Sequence, residues 1–187
     1  MHPVTDELVA AATAGEPGAL RSIYEALAPR VLGYLRSHGS TDPEGLTQEV
    51  FLVLFRRLPE LVGGAAGLRT FTFSLAHARV VDELRARQRQ PVTVPYLPET
   101  DERSSDSAET EAVRALGAEQ ALALVGSLSD GQREVVLLRV VAGLSLEETA
   151  LALGRSVGAV KQLQRRGLLA LRSLLHDPGV TPRAARR

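Results

Sequence analysis

The chain has 187 residues, of which 44% are hydrophobic, so it can bury one large core or two small ones. It contains no cysteine, which excludes disulfide bonds, thiolate metal sites and cysteine nucleophiles. No apolar run is long enough to span a membrane and the N-terminus lacks the features of a signal peptide, so we expect a cytoplasmic protein without membrane insertion.

The formal net charge is zero, but the charge is divided unevenly along the chain. Residues 96–119 carry two basic and seven acidic side chains, whereas residues 120–187 carry ten basic and five acidic ones. A basic C-terminal segment is typical of a protein that binds nucleic acid. Apolar residues recur at helical spacing and alternating strand patterns are scarce, which predicts an all-α fold.

The first part of the chain predicts three amphipathic helices before residue 60. Thr5 is the N-cap of the first helix, Pro17 opens the second, and Asp42 with Pro43 opens the third. The spacing predicts that the second helix buries Leu20, Ile23, Tyr24, Leu27, Val31, Leu32 and Leu35. In the third helix the predicted buried side is Leu46, Val50, Val53, Leu54 and Leu58.

A glycine-rich stretch, Gly63–Gly67, follows and is predicted to form a flexible loop. No Lys-Ser or Lys-Thr pair comes after it, so a phosphate cradle is not favoured and we expect no cofactor. A fourth helix is predicted from about Leu68 to Arg89, with basic side chains towards its C-terminal end. Its predicted apolar positions include Phe71, Leu75, Ala78, Val81 and Leu84.

Residues 91–107 are rich in proline, serine and acidic side chains, a composition typical of a flexible linker. We therefore predict two small helical domains, residues 1–90 and 108–177, joined by this acidic linker and followed by a tail at residues 178–187. In the second domain Ser129 and Gln132 form a capping box that opens a helix, which Gly143 closes.

Residues 145–175 predict a short helix, a tight turn and a longer helix. Ser145 with Glu148 is a capping box, Gly154 suits the left-handed end of a helix, and Ser156 caps the next one. The predicted buried side of the longer helix is Val160, Leu163, Leu168, Leu171, Leu174 and Leu175. Basic and amide side chains lie between them, so the pattern favours a DNA-binding helix-turn-helix, with a packing hairpin that has a solvated basic face as the alternative.

No catalytic or metal site is predicted. The histidines, at positions 2, 38, 77 and 176, have no carboxylate or cysteine partner at a ligand spacing. Ser145 is explained by capping, and neighbouring carboxylates such as Glu147 and Glu148 do not converge as an acid and base must. These residues therefore give no indication of catalytic or metal chemistry.

Two segments carry a family resemblance. The segment from Ser127 to Leu175 resembles the promoter-binding C-terminal domain of bacterial sigma factors of the small extracytoplasmic-function (ECF) type, in group IV of the sigma-70 family. The segments LTQEVFLVLFRRLPEL and LRTFTFSLAHARVVDELRARQRQ, from Leu46 and Leu68, resemble the other domain of the same family, in the expected order and with an acidic linker between. The resemblance covers nearly the whole chain.

This resemblance implies a sigma factor, which is not itself an enzyme but binds core RNA polymerase and directs transcription from chosen promoters. It implies a polymerase-binding surface at Leu46, Gln48, Glu49 and Leu52. It implies contacts with the minus-ten promoter element at Gly63, Gly64, Arg69, Phe71, His77, Arg79 and Arg85. It implies contacts with the minus-thirty-five element at Arg155, Ser156, Gly158, Ala159, Lys161, Gln162, Arg165 and Arg166. The family also implies an anti-sigma factor as a partner.

The chain departs from the family pattern at several positions. Gly45 stands where a second acidic residue is common, Phe71 where tryptophan is common, and Ala78 where asparagine is usual. Leu163 and Gln164 replace a frequent arginine and leucine. These differences bear on the minus-ten contacts and on the recognised sequence, not on the fold.

Two other functions are weighed against a sigma factor. One is a helix-turn-helix transcription regulator whose N-terminal half is a sensor or dimerisation domain, which would bind promoter DNA without polymerase. The other is a helical adaptor with no DNA role, which would show no salt-dependent affinity for DNA. The order of a docking helix before an arginine-rich helix favours the sigma factor over both.

Overall fold

The computed structural model describes residues 3–89, 120–121 and 123–176. The described residues form helices and no strand, which confirms the all-α prediction. The elements discussed below are α1 (Asp6–Thr13), α2 (Pro17–Ser37), α3 (Pro43–Arg57), a 3-10 turn (Leu58–Glu60), α4 (Gly64–Arg89), α5 (Asp130–Val140), α6 (Leu146–Leu153) and α7 (Val157–His176). The predicted linker and tail, and residues 108–119, lie outside the described residues.

The predicted helix starts are confirmed by their capping hydrogen bonds. The Thr5 hydroxyl accepts from the amide of Leu8 at 3.3 Å, and the Asp42 carboxylate accepts from the amide of Gly45 at 2.9 Å. Ser129 donates its amide to the Gln132 side chain at 3.3 Å, completing a capping box. Each bond satisfies a donor in the first turn that has no partner within the helix.

The buried side of α2 matches the prediction except at its tyrosines. Ile23, Leu27, Val31 and Leu35 are fully buried, as the helical spacing requires. Tyr24 was expected in the core but is 41% exposed, and its ring packs edge-on against Phe51 at 4.7 Å between centroids. Tyr34 takes a core position instead, because its hydroxyl finds a hydrogen-bond partner there in His77, as a buried tyrosine needs.

The prediction of a flexible loop at Gly63–Gly67 is wrong for most of that stretch. Helix α4 begins at Gly64, four residues earlier than predicted, so that only Gly63 lies before it. The physical reason is a cap from a distant part of the chain: the Asp6 carboxylate accepts from the amide of Ala65 at 2.7 Å. No local sequence pattern reveals such a bond.

The predicted apolar side of α4 is also displaced. Ala78 and Leu84 are exposed, whereas Leu68, Phe73 and Ala76 are fully buried. Thr72 lies on the same buried side. Its hydroxyl donates a hydrogen bond of 2.7 Å to the carbonyl of Leu68, so this polar side chain has its hydrogen bond inside the core. The helix contacts α1, α2 and α3, which leaves no single apolar stripe to read from the sequence.

Helix α7 packs on α5 along a different line from the one predicted. Val160 is fully buried and Leu163 partly buried, but Leu168 is 45% exposed and Leu175 is 66% exposed. Gly167 takes the buried position between them, because a Cβ there would lie 2.8 Å from a methyl group of Val136 on α5. The missing side chain brings the two helices together, so both leucines lie beside the contact.

The described residues before and after the gap share one large apolar core, beside which Val135, Ala150 and Val160 form a second, smaller cluster. We call residues 3–89 the N-terminal half and residues 120–176 the C-terminal half. The end of α5 and the residues after it contribute Leu137, Leu138, Ala142 and Leu144 to the core that α1 to α4 build. Helix α6 packs against α4, so the helix-turn-helix lies directly on the N-terminal half.

Candidate nucleic-acid interface

The helix-turn-helix is formed by α6, a short turn and α7. The Ser145 hydroxyl accepts from the amide of Glu148 at 3.0 Å, and the Glu148 carboxylate accepts from the amide of Ser145 at 2.6 Å. Gly154 adopts φ +60° and ends α6 in the left-handed conformation. Ser156 then accepts from the amide of Ala159 at 3.2 Å and starts α7. All three predicted boundary signals are confirmed.

The residues predicted to contact the minus-thirty-five element share one exposed surface around the start of α7. All eight are exposed: Arg155, Ser156, Gly158, Ala159, Lys161, Gln162, Arg165 and Arg166. The small residues lie at the tip, where a backbone can approach phosphates, and the longer cationic and amide side chains follow. This surface can contact a phosphate backbone and base edges at once.

Two acidic side chains border this cationic surface. Arg155 forms an ion pair of 3.6 Å with Glu134 of α5. The pKa of Glu147 lies below its ordinary value because its carboxylate is bonded to its own backbone amide and to the Ser145 hydroxyl, with Lys161 adding a smaller attraction. Glu134 and Glu147 therefore lie beside the cations of this surface, and a phosphate that binds there would compete with them for Arg155 and Lys161.

Arg69, predicted to contact the minus-ten element, faces the helix-turn-helix. Its guanidinium donates to Glu148 of α6 at 3.0 Å, and the two side chains are only 28% and 14% exposed. Glu148 was identified from the sequence only as half of a capping box. Its two carboxylate oxygens perform separate roles, since one accepts from the Ser145 amide and the other from Arg69.

His77 is half-buried and lies between the two halves of the protein. Its Nδ1 is 3.1 Å from the Tyr34 hydroxyl. Burial lowers the pKa of His77 below its ordinary value; Glu134 opposes this shift, and Arg155 reinforces it. His77 was predicted to contact the minus-ten element and Arg155 the minus-thirty-five element. The two side chains are close enough for the charge of Arg155 to affect the pKa of His77.

The other minus-ten candidates point in different directions. Arg79 forms an ion pair of 3.2 Å with Glu49 of α3, and Arg85 lies 3.8 Å from Asp82 on its own helix. Gly63 and Phe71 line a cleft of about 1040 Å³ between α4 and α6. Of the seven candidates, Gly63 and Phe71 therefore lie at this cleft, which the Arg69 partner Glu148 also lines, whereas Arg79 and Arg85 are paired with carboxylates of α3 and α4.

The candidate polymerase-binding residues lie on α3. Gln48, Glu49 and Leu52 are exposed, as predicted, and Leu52 is 65% exposed although it is apolar. Leu46 is partly buried against the core. Three of the four residues are thus available to a partner on one side of the helix, and an exposed leucine beside polar groups is typical of a docking surface.

No group of acidic or histidine side chains in the described parts of the chain is arranged to hold a metal ion. Of the helices that the structure describes, none contains a stretch both long and apolar enough to cross a lipid bilayer.

Comparison with known proteins connects these surfaces to a family. The profile of Sigma-70 region 2 matches residues 23–90, and that of Sigma-70 region 4 matches residues 124–173. The ECF RNA polymerase sigma factor SigD of Mycobacterium tuberculosis is 37% identical over 176 residues, which cover 89% of this chain and 82% of SigD. The chain belongs to the ECF RNA polymerase sigma factors.

A second relative agrees with this sigma-factor assignment. ECF RNA polymerase sigma factor ShbA of Streptomyces griseus is 35% identical over 181 residues, which cover 91% of this chain and 95% of ShbA. The fold is similar to that of CnrH in its complex with the cytosolic domain of CnrY, with a TM-score of 0.68 over 95% of this chain and 99% of CnrH, at 24% identity.

The matches span the elements that carry the candidate residues of this sigma factor. Region 2 covers most of α2 and all of α3 and α4, and region 4 covers α5, α6 and most of α7. A region 2 match in the N-terminal half favours a sigma factor over a regulator with a sensor or dimerisation domain. Sigma factors are transcription initiation factors.

Proposed function

We propose that this protein binds core RNA polymerase in the cytoplasm and selects promoters, without catalysing a reaction itself. In this proposal residues 1–90 bind polymerase and the minus-ten element, residues 91–107 are the linker, residues 108–177 bind the minus-thirty-five element and residues 178–187 are a tail. The observation that carries the proposal is the exposed cationic surface at the start of α7, in a chain that matches both sigma-70 regions.

The minus-thirty-five contact is assigned to α7 in the major groove. Gly158 and Ala159 allow close approach to the phosphates, and Lys161, Gln162 and Arg165 are long enough to reach base edges or phosphates. Guanidinium and amide groups can each make paired hydrogen bonds with a purine edge. This assignment is supported by the exposure of all these residues.

Polymerase binding is assigned to Gln48, Glu49 and Leu52 on α3, with Leu46 holding that helix against the core. The minus-ten contact is assigned to α4 and the turn before it. Glu148 occupies one edge of the Arg69 guanidinium, and we propose that this ion pair breaks when promoter DNA binds, so that the whole guanidinium becomes available to a phosphate. Separation of the two halves would release Arg69 and His77 together.

The family also supports an anti-sigma factor as a partner that holds the protein in an inactive form. A protein that clamps α4 against the helix-turn-helix would keep Arg69 on Glu148 and cover His77. Purification from the native cell that recovers core polymerase but never a small inhibitory protein would count against this part of the proposal.

The proposal is tested by in vitro transcription with core polymerase on genomic fragments. The wild-type protein should produce discrete promoter-specific transcripts, and the double variant Lys161→Ala, Arg165→Ala should reduce them about tenfold or more while still binding core polymerase. Arg21→Ala, which removes an exposed cation of α2, serves as the control and should leave the transcripts unchanged. Unchanged promoter-specific transcription by the double variant would overturn the assignment of α7.

A further inference from the structure

Asp6 begins α1 in the chain, yet its side chain acts on the start of α4. Its Oδ1 accepts a hydrogen bond of 2.7 Å from the amide of Ala65, across 59 positions of sequence. Neighbouring Gly64 has φ +56°, and a Cβ on that residue would overlap the Asp6 carboxylate. The carboxylate and the glycine therefore fit one another, and no larger side chain at position 64 leaves room for the bond.

The turn that precedes α4 cannot cap the helix with a side chain of its own. Gly63, the residue before the helix, carries no acceptor on its side chain, so the first amides of α4 need a partner from elsewhere. The Asp6 carboxylate supplies one, and its negative charge is favourable at the positive end of a helix that is 26 residues long.

The same turn is shaped by close backbone contacts. Gly63 has φ +90°, and a Cβ on Gly67 would overlap the carbonyl of Val62. Val62 itself is 84% exposed and lies with Gly63 at the cleft between α4 and α6. Val62 and Gly63 contribute little side-chain packing at this point, so the entry into α4 depends on the cap from Asp6 to hold one conformation.

We infer that Asp6 is a positioning residue for promoter opening: it holds Val62, Gly63 and the first turn of α4 in the shape that receives the minus-ten element. The inference rests on the proposed function, because Gly63 and Gly64 are assigned to that element there. Asp6 lies outside the segment matched to sigma-70 region 2, and it acts through a backbone amide without contacting DNA itself.

The experiment compares Asp6→Ala, Asp6→Asn and Glu7→Ala in the full protein bound to core polymerase. Glu7 is the matched control, since it lies in the same first turn of α1 and carries the same charge without a bond to α4. Three quantities are measured: affinity for core polymerase, permanganate reactivity of minus-ten thymines in a promoter that the wild type transcribes, and the preference for that promoter over one with exchanged minus-ten bases.

We expect Asp6→Ala to reduce promoter opening about tenfold, the effect of losing a good helix cap, and to weaken the minus-ten preference. Its affinity for core polymerase should stay within about twofold of wild type, because α3 does not depend on this bond. Asp6→Asn keeps an acceptor oxygen and should recover most of the opening. Glu7→Ala should match the wild type in all three measurements.

A second variant tests the contact from its other side. Gly64→Ala keeps Asp6 but places a Cβ against its carboxylate, so it should show the same defect in promoter opening. The double variant Asp6→Ala, Gly64→Ala should lose less promoter opening than the sum of the two single losses.

Normal opening and normal minus-ten preference in Asp6→Ala would overturn the inference alone. So would an opening defect fully matched by lost core binding. A wild-type protein that opens no promoter with core polymerase would overturn the proposed function, and this inference with it.

Discussion

Arg69 of α4 and Glu148 of α6 form an ion pair of 3.0 Å that joins the N-terminal half of the protein to the first helix of the helix-turn-helix. Both side chains are largely shielded from water, so their attraction is screened less than that of a surface pair. The pair lies next to the cleft between the same two helices, which Glu148 also lines. It therefore contributes directly to the packing of the two halves.

A double-mutant cycle should show that this pair stabilises the folded arrangement. Arg69→Gln, Glu148→Gln and the double variant are expected to give a coupling energy of about 1 kcal/mol in urea unfolding. Glutamine at position 148 can still complete the capping box, so the change removes the charge and spares the cap. The exposed pair Arg21 and Glu25 is the control, with an expected coupling below about 0.5 kcal/mol. Equal coupling in the two pairs would contradict the role given to Arg69 and Glu148.

The cationic surface of α7 should give promoter binding a steep dependence on salt. Each phosphate contact releases counterions, so Lys161→Ala should reduce the slope of log affinity against log salt concentration by about 1. Titration of labelled promoter DNA with the polymerase-bound protein at several salt concentrations measures this slope. Arg21→Ala should leave it unchanged. A Lys161→Ala slope equal to that of the wild type would mean that this side chain does not contact a phosphate.

Glu83 should stabilise the fold at neutral pH and lose that effect in acid. Burial of its carboxylate would raise its pKa, but hydrogen bonds from the Thr41 amide (2.7 Å) and hydroxyl (2.6 Å), and from Arg87, lower it from an ordinary 4.5 to about 2. Because the folded pKa lies below the unfolded one, the stabilisation is complete above about pH 4.5 and is lost as the pH falls towards 2.

The variant Glu83→Gln tests this link between α4 and the start of α3. At pH 7 it should lower the free energy of unfolding by about 1 to 3 kcal/mol, and at pH 3 the difference from wild type should be smaller. Urea midpoints at the two pH values give both numbers. Glu25→Gln, at an exposed position of α2, is the control. A wild-type advantage that persists unchanged at pH 3 would contradict the depressed pKa of Glu83.

The folded protein should lose stability in mild acid because of His77. Burial lowers its pKa below the ordinary value of 6.5; Glu134 acts in the opposite direction, and Arg155 in the same one. The unfolded chain therefore binds a proton more readily than the folded one, so stability is complete above about pH 6.5 and falls as the pH decreases through that value. Burial also lowers the pKa of His38, so His38 likewise reduces the stability of the folded protein as the pH decreases.

Comparison of wild type with His77→Gln isolates the contribution of this histidine. Glutamine can bond to the Tyr34 hydroxyl but does not titrate, so the variant should lose less stability between about pH 7.5 and 5.5. The difference for one histidine is at most about 1.4 kcal/mol per pH unit. Unfolding free energies from urea titrations at the two pH values give the result. The same pH dependence in both proteins would show that His77 does not carry it.

Much of the fold could be read from the sequence because the signals involved are local. The capping residues Thr5, Asp42, Ser129 and Ser145 each act on an amide within three positions, so their pattern is visible in a short window. The exposed face of α7 could be identified for the same reason, since helical spacing separates its cationic residues from Val160.

The features that the sequence did not reveal depend on residues distant in the chain. The start of α4 depends on Asp6, 59 positions earlier than Ala65, and the orientation of Arg69 depends on Glu148, 79 positions later. The line of contact along α7 depends on Gly167, because a side chain at that position would overlap Val136 of α5. Helical spacing in a sequence identifies one apolar face of a helix. Helix α4 packs against neighbours on several of its faces, so the packing of one half on the other could not be predicted from that spacing.

Sigma-factor function is tested most directly by mixing the purified protein with core RNA polymerase that lacks a specificity subunit and assaying run-off transcription on genomic DNA fragments. We predict that the protein co-elutes with the polymerase and that discrete transcripts appear only when it is present. Failure to associate with core polymerase, even with intact DNA binding by α7, would contradict the account.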